Sequence, residues 1–216
     1  MSPKTRIARR TAAELVSGQV VNLGIGLPTR VLQHLPPEVD IFVHSENGIL
    51  GMGPRCPRGT EDPSLIDSGG DYVQLRPGAA FFDSALSFAL VRGGRLDVAI
   101  LGTLEVSGEG DLANWVIPGR FAPGIGGGME LAQKARKVIV TTTHTTGKGR
   151  PKILKRCTLP VTAKKCVTTI VTELAVLDVT GQGLVLRELA READLADMLS
   201  RTEAEVIVPN GDIPRF

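Results

Sequence analysis

Residues that could hold a metal ion or form a disulfide are scarce in this sequence. Only three cysteines and three histidines occur among 216 residues. Cys56, Cys157 and Cys166 have no CxxC spacing, and the histidines form no HExxH or HxxxH pair. An odd number of scattered thiols indicates reduced cysteines in a cytoplasmic compartment rather than a disulfide framework or a zinc site. We therefore predict no metal centre.

Aromatic residues, charge imbalance and long apolar runs are also lacking. Aromatics make up 4% of the chain, so the core is expected to consist of Val, Leu, Ile and Ala. The net charge of +2 arises from 25 basic and 23 acidic residues, which is too balanced for a protein that wraps nucleic acid. Because no sustained apolar run is present, we expect neither a membrane span nor a signal peptide.

Short apolar segments alternate with helical patterns along the whole chain. The predicted strands cover residues 19–23, 40–44, 72–75, 97–101, 137–142, 175–179, 184–189 and 205–208. The predicted helices cover residues 3–18, 28–35, 84–91 and 192–201, and the stripe of the first contains Ile7, Ala8, Ala12, Leu15 and Val16. This alternation predicts an α/β fold with a single open, largely parallel sheet flanked by helices, in one domain spanning residues 1–216. Residues 51–70 and 104–128 are expected to be long irregular segments, which are usually functional.

One carboxylate lies where an apolar strand meets a glycine-rich segment. Glu46 follows the strand 40–44, and three glycines and a proline come within the next eight residues. Glycines permit turn conformations and close approach of a ligand to the backbone. From the residues alone, Glu46 is either a reactive group or a solvated carboxylate in a surface turn.

Three glycine-rich segments, 24–26, 51–53 and 124–128, could bring backbone amides to an anionic ligand. None completes a dinucleotide fingerprint, so the sequence gives little support for a nicotinamide cofactor. Each segment alone is more typical of a tight turn, but three of them in one chain favour an oxyanion or phosphate pocket. The basic run 148–156 fits either a solvated strand edge or the phosphates of a nucleotide-bearing ligand.

An ordered series of motifs extends over nearly the whole chain. The series comprises Val21–Thr29, Ser45–Gly48, Gly51–Pro54, Pro77–Phe82, Arg92–Gly94, Gly110–Trp115, Gly126–Gly127, Lys152–Leu154 and Cys157–Pro160. In this respect the chain resembles the B (beta) subunit of the family I 3-oxoacid coenzyme A transferases. That resemblance implies the open sheet of the CoA-transferase and NagB/RpiA-like folds.

The resemblance also implies an activity and a set of site residues. Glu46, in Ser45-Glu46-Asn47-Gly48, matches the nucleophile of the family, and Gly127 matches a glycine whose backbone N–H stabilises an oxyanion. The implied pocket residues are Gly24, Ile25, Gly26, Asn47, Gly126 and Gly128. Coenzyme A is implied as a substrate and not as a resident cofactor.

The resemblance further implies an A subunit as partner, in a heterodimer or heterotetramer, without nucleic acid or membrane. The segment 115–119 is closer to transferases acting on succinyl-CoA and acetoacetate than to the 3-oxoadipate branch. The chain departs from the family pattern at Gly70, where a lysine near coenzyme A is expected, and at 127–130 and 142–144. These departures keep open a non-catalytic CoA-binding paralogue, and the fold alone also fits a sugar-phosphate isomerase.

Overall fold

Buried aliphatic side chains recur along successive short strands, and these strands form one ten-stranded sheet. The structure is a computed structural model and describes residues 1–120 and 124–216. The strands of this sheet are β1 (Val20–Leu23), β2 (Phe42–Ser45), β3 (Ile49–Arg55), β4 (Val73–Phe81), β5 (Val98–Gly102), β8 (Lys137–Thr141), β10 (Thr169–Val171), β11 (Ala175–Thr180), β12 (Gly183–Leu189) and β13 (Val206–Ile207). A separate three-stranded sheet consists of β6 (Glu105–Ser107), β7 (Leu112–Ala113) and β9 (Ile153–Leu154).

Along the chain, the first described helix precedes β1 and the others lie between strands. They are α1 (Pro3–Ala12), a 3₁₀ helix (Pro28–His34), α2 (Ser84–Arg92), α3 (Gly128–Lys134) and α4 (Leu195–Ser200). No helix within residues 1–120 and 124–216 combines the length and the apolar composition that crossing a bilayer would require.

The strand order is β13-β12-β11-β10-β8-β5-β1-β2-β3-β4. The five central strands, from β10 to β2, are parallel, whereas β11, β3 and β4 pair antiparallel with their neighbours. The predicted α/β fold with an open, largely parallel sheet is therefore confirmed. All eight predicted strands are present, although β4 extends as far as Phe81.

Hydrophobic residues pack on both faces of the central strands. Along β5, Val98 and Ile100 belong to the core under α1, whereas Ala99 and Leu101 belong to the core on the opposite face. Strands buried on both faces carry near-continuous apolar runs, and this explains why β5 was recognisable from sequence. The carboxyl ends of the parallel strands lie along one edge of the sheet, where β1 and β2 end beside each other.

The interpretation of segment 51–53 as part of a glycine-rich turn is wrong. Of the three glycines that follow Glu46, Gly48 lies in the turn before β3. Gly51 and Gly53 lie within β3, which is paired with β4. A β-carbon on Gly51 would lie 3.0 Å from Cα of Ala79, and one on Gly53 would lie 3.0 Å from the carbonyl oxygen of Gln74. These glycines therefore allow close approach of a neighbouring strand rather than of a ligand.

The first helix is shorter than predicted. It ends at Ala12, and Val16, which was expected on the apolar stripe, is 63% exposed. The N–H groups of Glu14 and Leu15 bond to carbonyls three residues earlier, at Thr11 and Ala12, so the chain tightens and leaves the helix.

The expectation that residues 51–70 and 104–128 are irregular is wrong in part. The first range contains the end of β3, and the second contains β6, β7 and the start of α3, while residues 121–123 lie outside the described residues. Strand β10 was not predicted at all. Strands of two or three residues are too short to show a periodic pattern, and they form here because distant partners complete their hydrogen bonds.

Candidate active site

Glu46 is the first residue of a three-residue turn that joins β2 to β3. The turn closes through a hydrogen bond of 3.0 Å from the Gly48 N–H to the Ser45 carbonyl oxygen. Gly48 has φ +124°, and a β-carbon there would lie 1.9 Å from the carbonyl oxygen of Phe82. Only glycine therefore fits this turn, which holds the half-buried side chain of Glu46 beyond the carboxyl end of β2.

The Glu46 carboxylate accepts a hydrogen bond from a buried amide. Nδ2 of Asn22 lies 3.0 Å from Oε2 of Glu46 and 3.2 Å from the carbonyl oxygen of His44. Asn22 is 1% exposed and is paired with His44 in the parallel register of β1 and β2. The pairing of two neighbouring strands thus brings a hydrogen-bond donor to a carboxylate 24 residues later in the chain.

A buried histidine lies behind this pair. Nδ1 of His44 is 3.3 Å from Nδ2 of Asn22, and Nε2 of His44 is 2.9 Å from Oγ of Ser87 on α2. Burial lowers the pKa of His44 below its usual value, although the nearby charge of Glu46 acts in the opposite direction. His44 is therefore neutral at pH 7, so one ring nitrogen accepts a hydrogen bond and the other donates one.

Gly127 lies directly beside Glu46. A β-carbon on Gly127 would lie 3.6 Å from Cγ of Glu46 and 2.6 Å from Cζ of Phe88. A cavity of about 430 Å³ lies next to Gly127. Its lining residues are Ser84, Ala85, Phe88, Arg92, Gly126, Gly127, Met129 and Glu130. The structure therefore brings together the two residues that the sequence singled out as nucleophile and oxyanion donor.

The neighbours of Gly127 also border this region. Gly126 is exposed with φ +52°, and the N–H of Gly128 donates to the carbonyl oxygen of Ile125 at 3.3 Å. Within residues 1–120 and 124–216 the N–H of Gly127 makes no hydrogen bond. Of these three glycines, Gly127 is the one that the structure places beside Glu46.

The predicted segment Gly24 to Gly26 follows β1 at the same sheet edge. The N–H of Gly24 bonds to the carbonyl oxygen of Ile100 at 2.8 Å, whereas the side chain of Ile25 is 72% exposed. Ile25 and Gly26 border a cleft of about 170 Å³ that is also lined by His44 and Ser45. This segment thus forms one wall of a second opening close to Glu46.

Asn47 makes a contact different from the one expected of a pocket residue. Its Nδ2 donates to the carbonyl oxygen of Ile66 at 2.7 Å, and Asn47 is exposed. The side chain therefore ties the turn to the 57–72 segment.

The departure from the family pattern at Gly70 has a local structural explanation, and in the 142–144 segment His144 is the residue that agrees with the family. Gly70 has φ +84° in a turn closed by its N–H to the carbonyl oxygen of Asp67, so a lysine there would be strained. His144 is fully buried, and its ring nitrogens contact Thr172 Oγ1 at 3.0 Å and Thr202 Oγ1 at 2.8 Å. His144 thus belongs to a buried polar cluster.

The remaining candidate groups are less suited to chemistry. Burial raises the pKa of Cys157 to about 12 and that of Cys166 to about 11, so both thiols stay protonated. In the basic run, the half-buried ammonium of Lys152 donates to Thr142 Oγ1 at 3.1 Å. Among residues 1–120 and 124–216, no group of three or more Cys, His, Asp and Glu side chains is arranged to hold a metal ion.

Asn22, His44 and Ser87 were not recognised as site residues from the sequence. A signal was present, because Asn22 interrupts the apolar run of β1 and His44 interrupts that of β2. Buried polar residues in otherwise apolar strands require partners, and such partners often belong to a site. Ser87 carries no comparable signal, because a serine within a helix is ordinary.

Taken together, the site contains one carboxylate anchored by an amide donor, a neighbouring backbone N–H and two adjacent openings. This arrangement suits nucleophilic attack by a carboxylate on an acyl group whose oxyanion accepts hydrogen bonds.

Comparison with known proteins defines the class. Residues 4–193 match the family model described as coenzyme A transferase, so the chain belongs to the coenzyme A transferase family. It is 50% identical over 204 residues to the beta subunit of the acetate CoA-transferase of Escherichia coli (strain K12), covering 94% of this chain and 93% of that protein. It is 43% identical over 205 residues to the B subunit of a probable succinyl-CoA:3-ketoacid coenzyme A transferase of Bacillus subtilis (strain 168), covering 95% of each.

A solved structure supports the fold. The apoenzyme of the acyl-CoA transferase YdiF from Escherichia coli O157:H7 superposes with a TM-score of 0.80 at 23% identity. The match covers 100% of this chain and 43% of that chain, so this chain spans less than half of the larger protein. The chain is therefore a CoA-transferase subunit with the fold of the family.

Proposed function

We propose that this chain is the B subunit of an enzyme that moves coenzyme A from an acyl-CoA to a carboxylic acid through a covalent intermediate on Glu46. The observation that carries the proposal is the position of the Glu46 carboxylate, 3.0 Å from the Asn22 amide and beside the Gly127 backbone. Coenzyme A enters this reaction as a substrate.

The chemistry explains why a carboxylate is required. An oxygen of Glu46 attacks the thioester carbonyl of the acyl-CoA, the C–S bond breaks, and an acyl-glutamyl anhydride and the CoA thiolate result. The thiolate then attacks the glutamyl carbonyl, which releases the first acid as a carboxylate and leaves a glutamyl-CoA thioester. An ester of serine would lose the activation that the anhydride keeps.

The second half of the reaction reverses these steps with a new acid. Its carboxylate attacks the glutamyl thioester to form a new anhydride and CoA thiolate, and the thiolate attacks the new acyl carbonyl. The product acyl-CoA leaves, and the Glu46 carboxylate is restored. Ping-pong kinetics follow from this order.

Each attack creates an oxyanion that needs preorganised donors. We assign the backbone N–H of Gly127 to this role, because this glycine lies beside Glu46. A donor of this kind contributes about 3 kcal/mol to transition-state stabilisation. Gly24, Ile25, Gly26, Asn47, Gly126 and Gly128 are proposed to shape the surrounding substrate pocket.

We propose an A subunit as the partner, which would supply a second donor to the oxyanion, so that the isolated chain is inactive. The assembly is expected to be a heterodimer or heterotetramer. The three free thiols fit the reducing cytoplasm as the proposed compartment.

The proposed substrates are succinyl-CoA and acetoacetate, the pair favoured by the motif resemblance. The relative with 50% identity is named for acetate, and this supports acetate as a second candidate acceptor. Two alternatives remain, a 3-oxoadipate transferase and a CoA-binding paralogue that has lost catalysis. The experiment must distinguish both from the proposed enzyme.

The test uses the chain purified with its A subunit. The complex is incubated with one acyl-CoA at a time and treated with hydroxylamine or borohydride, and the adduct on Glu46 is identified by mass spectrometry. Release of free acid and transfer to succinate, acetate, acetoacetate or 3-oxoadipate are then measured. We expect an adduct on Glu46 and transfer to at least one of these acids.

Glu46→Gln is the matched variant, because it removes the charge and nucleophilicity at nearly constant volume. It should abolish both adduct and transfer while the melting temperature stays close to that of the wild type. Transfer that persists in Glu46→Gln would refute the mechanism, whereas CoA binding without any transfer in the wild-type complex would favour the paralogue.

A further inference from the structure

A chain of three buried side chains leads from α2 to the carboxylate of Glu46. Oγ of Ser87 contacts Nε2 of His44 at 2.9 Å, Nδ1 of His44 contacts Nδ2 of Asn22 at 3.3 Å, and the same Nδ2 contacts Oε2 of Glu46 at 3.0 Å. Asn22, His44 and Ser87 are each at most 3% exposed. Water is therefore largely excluded as an alternative partner for these polar groups.

The orientation of the Asn22 amide is dictated by its neighbours. Its Nδ2 faces the His44 carbonyl oxygen and the Glu46 carboxylate, and both of these groups can only accept hydrogen bonds. The opposite orientation would place Oδ1 against the carboxylate, and the two oxygens would repel each other. In the observed orientation Oδ1 of Asn22 has no hydrogen-bond partner among the described residues. The two acceptors that face Nδ2 therefore have to outweigh the cost of leaving Oδ1 unpaired.

The protonation of His44 follows from this orientation. Nδ2 of Asn22 has two protons and faces three atoms, the His44 carbonyl oxygen, Oε2 of Glu46 and Nδ1 of His44. A proton on Nδ1 would point at this NH2 group, so the neutral ring keeps its single proton on Nε2. That proton points to Oγ of Ser87, which accepts it. Because the Ser87 hydroxyl can donate as well as accept, the Asn22 amide selects the tautomer of His44, and Ser87 holds the imidazole in place as the acceptor of the Nε2 proton.

We propose that Ser87 and His44 are positioning residues for Glu46: the Ser87 hydroxyl accepts the Nε2 proton and holds the imidazole ring in place, and the unprotonated Nδ1 of that ring supports the N–H side of Asn22 that faces the carboxylate. This inference rests on the proposed role of Glu46 as nucleophile. Without the Ser87 hydroxyl the buried Nε2–H of His44 loses its acceptor, and the imidazole is no longer held in place against the Asn22 amide. The hydrogen bond from Asn22 to the Glu46 carboxylate is then weakened, and the carboxylate occupies its reactive position for a smaller fraction of the time.

The test is a double-mutant cycle in the complex with the A subunit. Ser87→Ala should lower kcat roughly three- to tenfold, the amount that the loss of one hydrogen bond implies, with a smaller change in KM for the acyl-CoA. His44→Asn places an amide oxygen, which has no tautomers, near the position of Nδ1. In the His44→Asn background, Ser87→Ala should therefore have no further effect on kcat.

Ser107→Ala is the matched control for stability. Ser107 is 1% exposed, and its hydroxyl accepts from the N–H of Asp111 at 3.0 Å in the small sheet. We expect this variant to lose melting temperature as Ser87→Ala does and to keep the kcat of the wild type. Ser87→Thr retains the hydroxyl and should restore kcat. Equal losses from Ser87→Ala in both His44 backgrounds would overturn the proposal.

A spectroscopic measurement keeps the proposal testable if Ser87→Ala does not fold. The chain has only three histidines, so ¹⁵N-labelled histidine allows the His44 ring nitrogens to be assigned with the aid of His44→Asn. The wild-type complex should show the proton of His44 on Nε2, and a proton on Nδ1 would refute the inference. If the wild type forms no adduct on Glu46, the proposed function fails, whereas an adduct formed at equal rates in all variants contradicts only the positioning role.

Discussion

Gly127 and Glu46 stand side by side, so that a β-carbon on Gly127 would lie 3.6 Å from Cγ of Glu46. The same β-carbon would lie 2.6 Å from Cζ of Phe88, which real β-carbons do not tolerate. Any larger residue at this position would therefore have to displace the Phe88 ring or shift the backbone.

Gly127→Ala should lower the rate of transfer at least about tenfold, because the clash with Phe88 shifts the backbone N–H away from the oxyanion. Adding Phe88→Leu removes the clashing ring atoms, so the double variant should recover part of the rate. Steady-state kinetics of the complex with the A subunit provide the measurement. Gly147→Ala, at an exposed site with nothing within 4 Å of the new methyl group, serves as control.

Gly48→Ala should destabilise the protein by more than about 2 kcal/mol, because the new methyl group would lie 1.9 Å from the Phe82 carbonyl oxygen at φ +124°. The free energy of unfolding in urea measures this loss. Gly59→Ala, with φ +85° and open space around it, should cost only about 1 kcal/mol. Similar losses in both variants would mean that backbone conformation, and not the contact with Phe82, restricts position 48.

Acid should destabilise the folded chain partly through His144. Burial lowers the pKa of His144 to about 4, and Arg201 adds to this effect, whereas the unfolded chain has the ordinary value of 6.5. Between these values the unfolded state binds more protons, so stability is lost as pH falls from 6.5 toward 4. We expect about 2 kcal/mol of this loss between pH 7.5 and pH 5.

Urea unfolding of the wild type and of His144→Gln at both pH values checks this prediction. Because the variant lacks the titrating ring, its free energy of unfolding should fall by about 2 kcal/mol less than that of the wild type between pH 7.5 and pH 5. An equal pH dependence in the two proteins would exclude His144 as the cause.

Glu14 should be the carboxylate on which the packing of α1 depends most. Its side chain is 8% exposed and contacts Lys137 Nζ at 2.6 Å and Arg10 Nη2 at 2.8 Å, with Arg187 as a third partner. Burial tends to raise the pKa of Glu14, but these cations outweigh burial and hold the pKa below its usual value. The ionised carboxylate therefore stabilises the fold above pH 4.5, and this contribution is lost as pH falls below it.

Glu14→Gln should lower the free energy of unfolding by about 3 kcal/mol at pH 7, because Lys137, Arg10 and Arg187 all lose a buried carboxylate partner, although Glu188 and Asp178 remain beside the two arginines. Asp40→Asn is the control, since Asp40 and its partner Arg76 are both exposed and such pairs contribute less than about 1 kcal/mol. Chemical denaturation of both variants measures the difference. Equal losses of unfolding free energy in Glu14→Gln and Asp40→Asn would show that the buried ion pairs of Glu14 stabilise the protein no more than an exposed ion pair does.

Local sequence patterns were sufficient for four of the five central strands, all except β10, and for the turn that carries Glu46. The apolar runs of β5 and β8 are buried on both faces, so their composition alone predicted strands. The glycines of β3 were misinterpreted, because a glycine that admits a turn and one that admits a neighbouring strand look the same in sequence. The distinction between Gly48 and Gly51 depends on Phe82 and Ala79, which lie some 30 residues later.

Most of the residues around Glu46 could not be predicted from the sequence. Gly127 was singled out by resemblance, whereas the roles of Asn22, His44 and Ser87 became visible only through the parallel register of β1 with β2 and the packing of α2. By itself, the sequence determined the longer buried strands and the residue type that follows β2, because hydrophobic periodicity acts within one segment. Only the tertiary structure decided which groups meet the carboxylate, because hydrogen bonds between distant segments depend on strand register and helix packing, for which a single segment carries no signal.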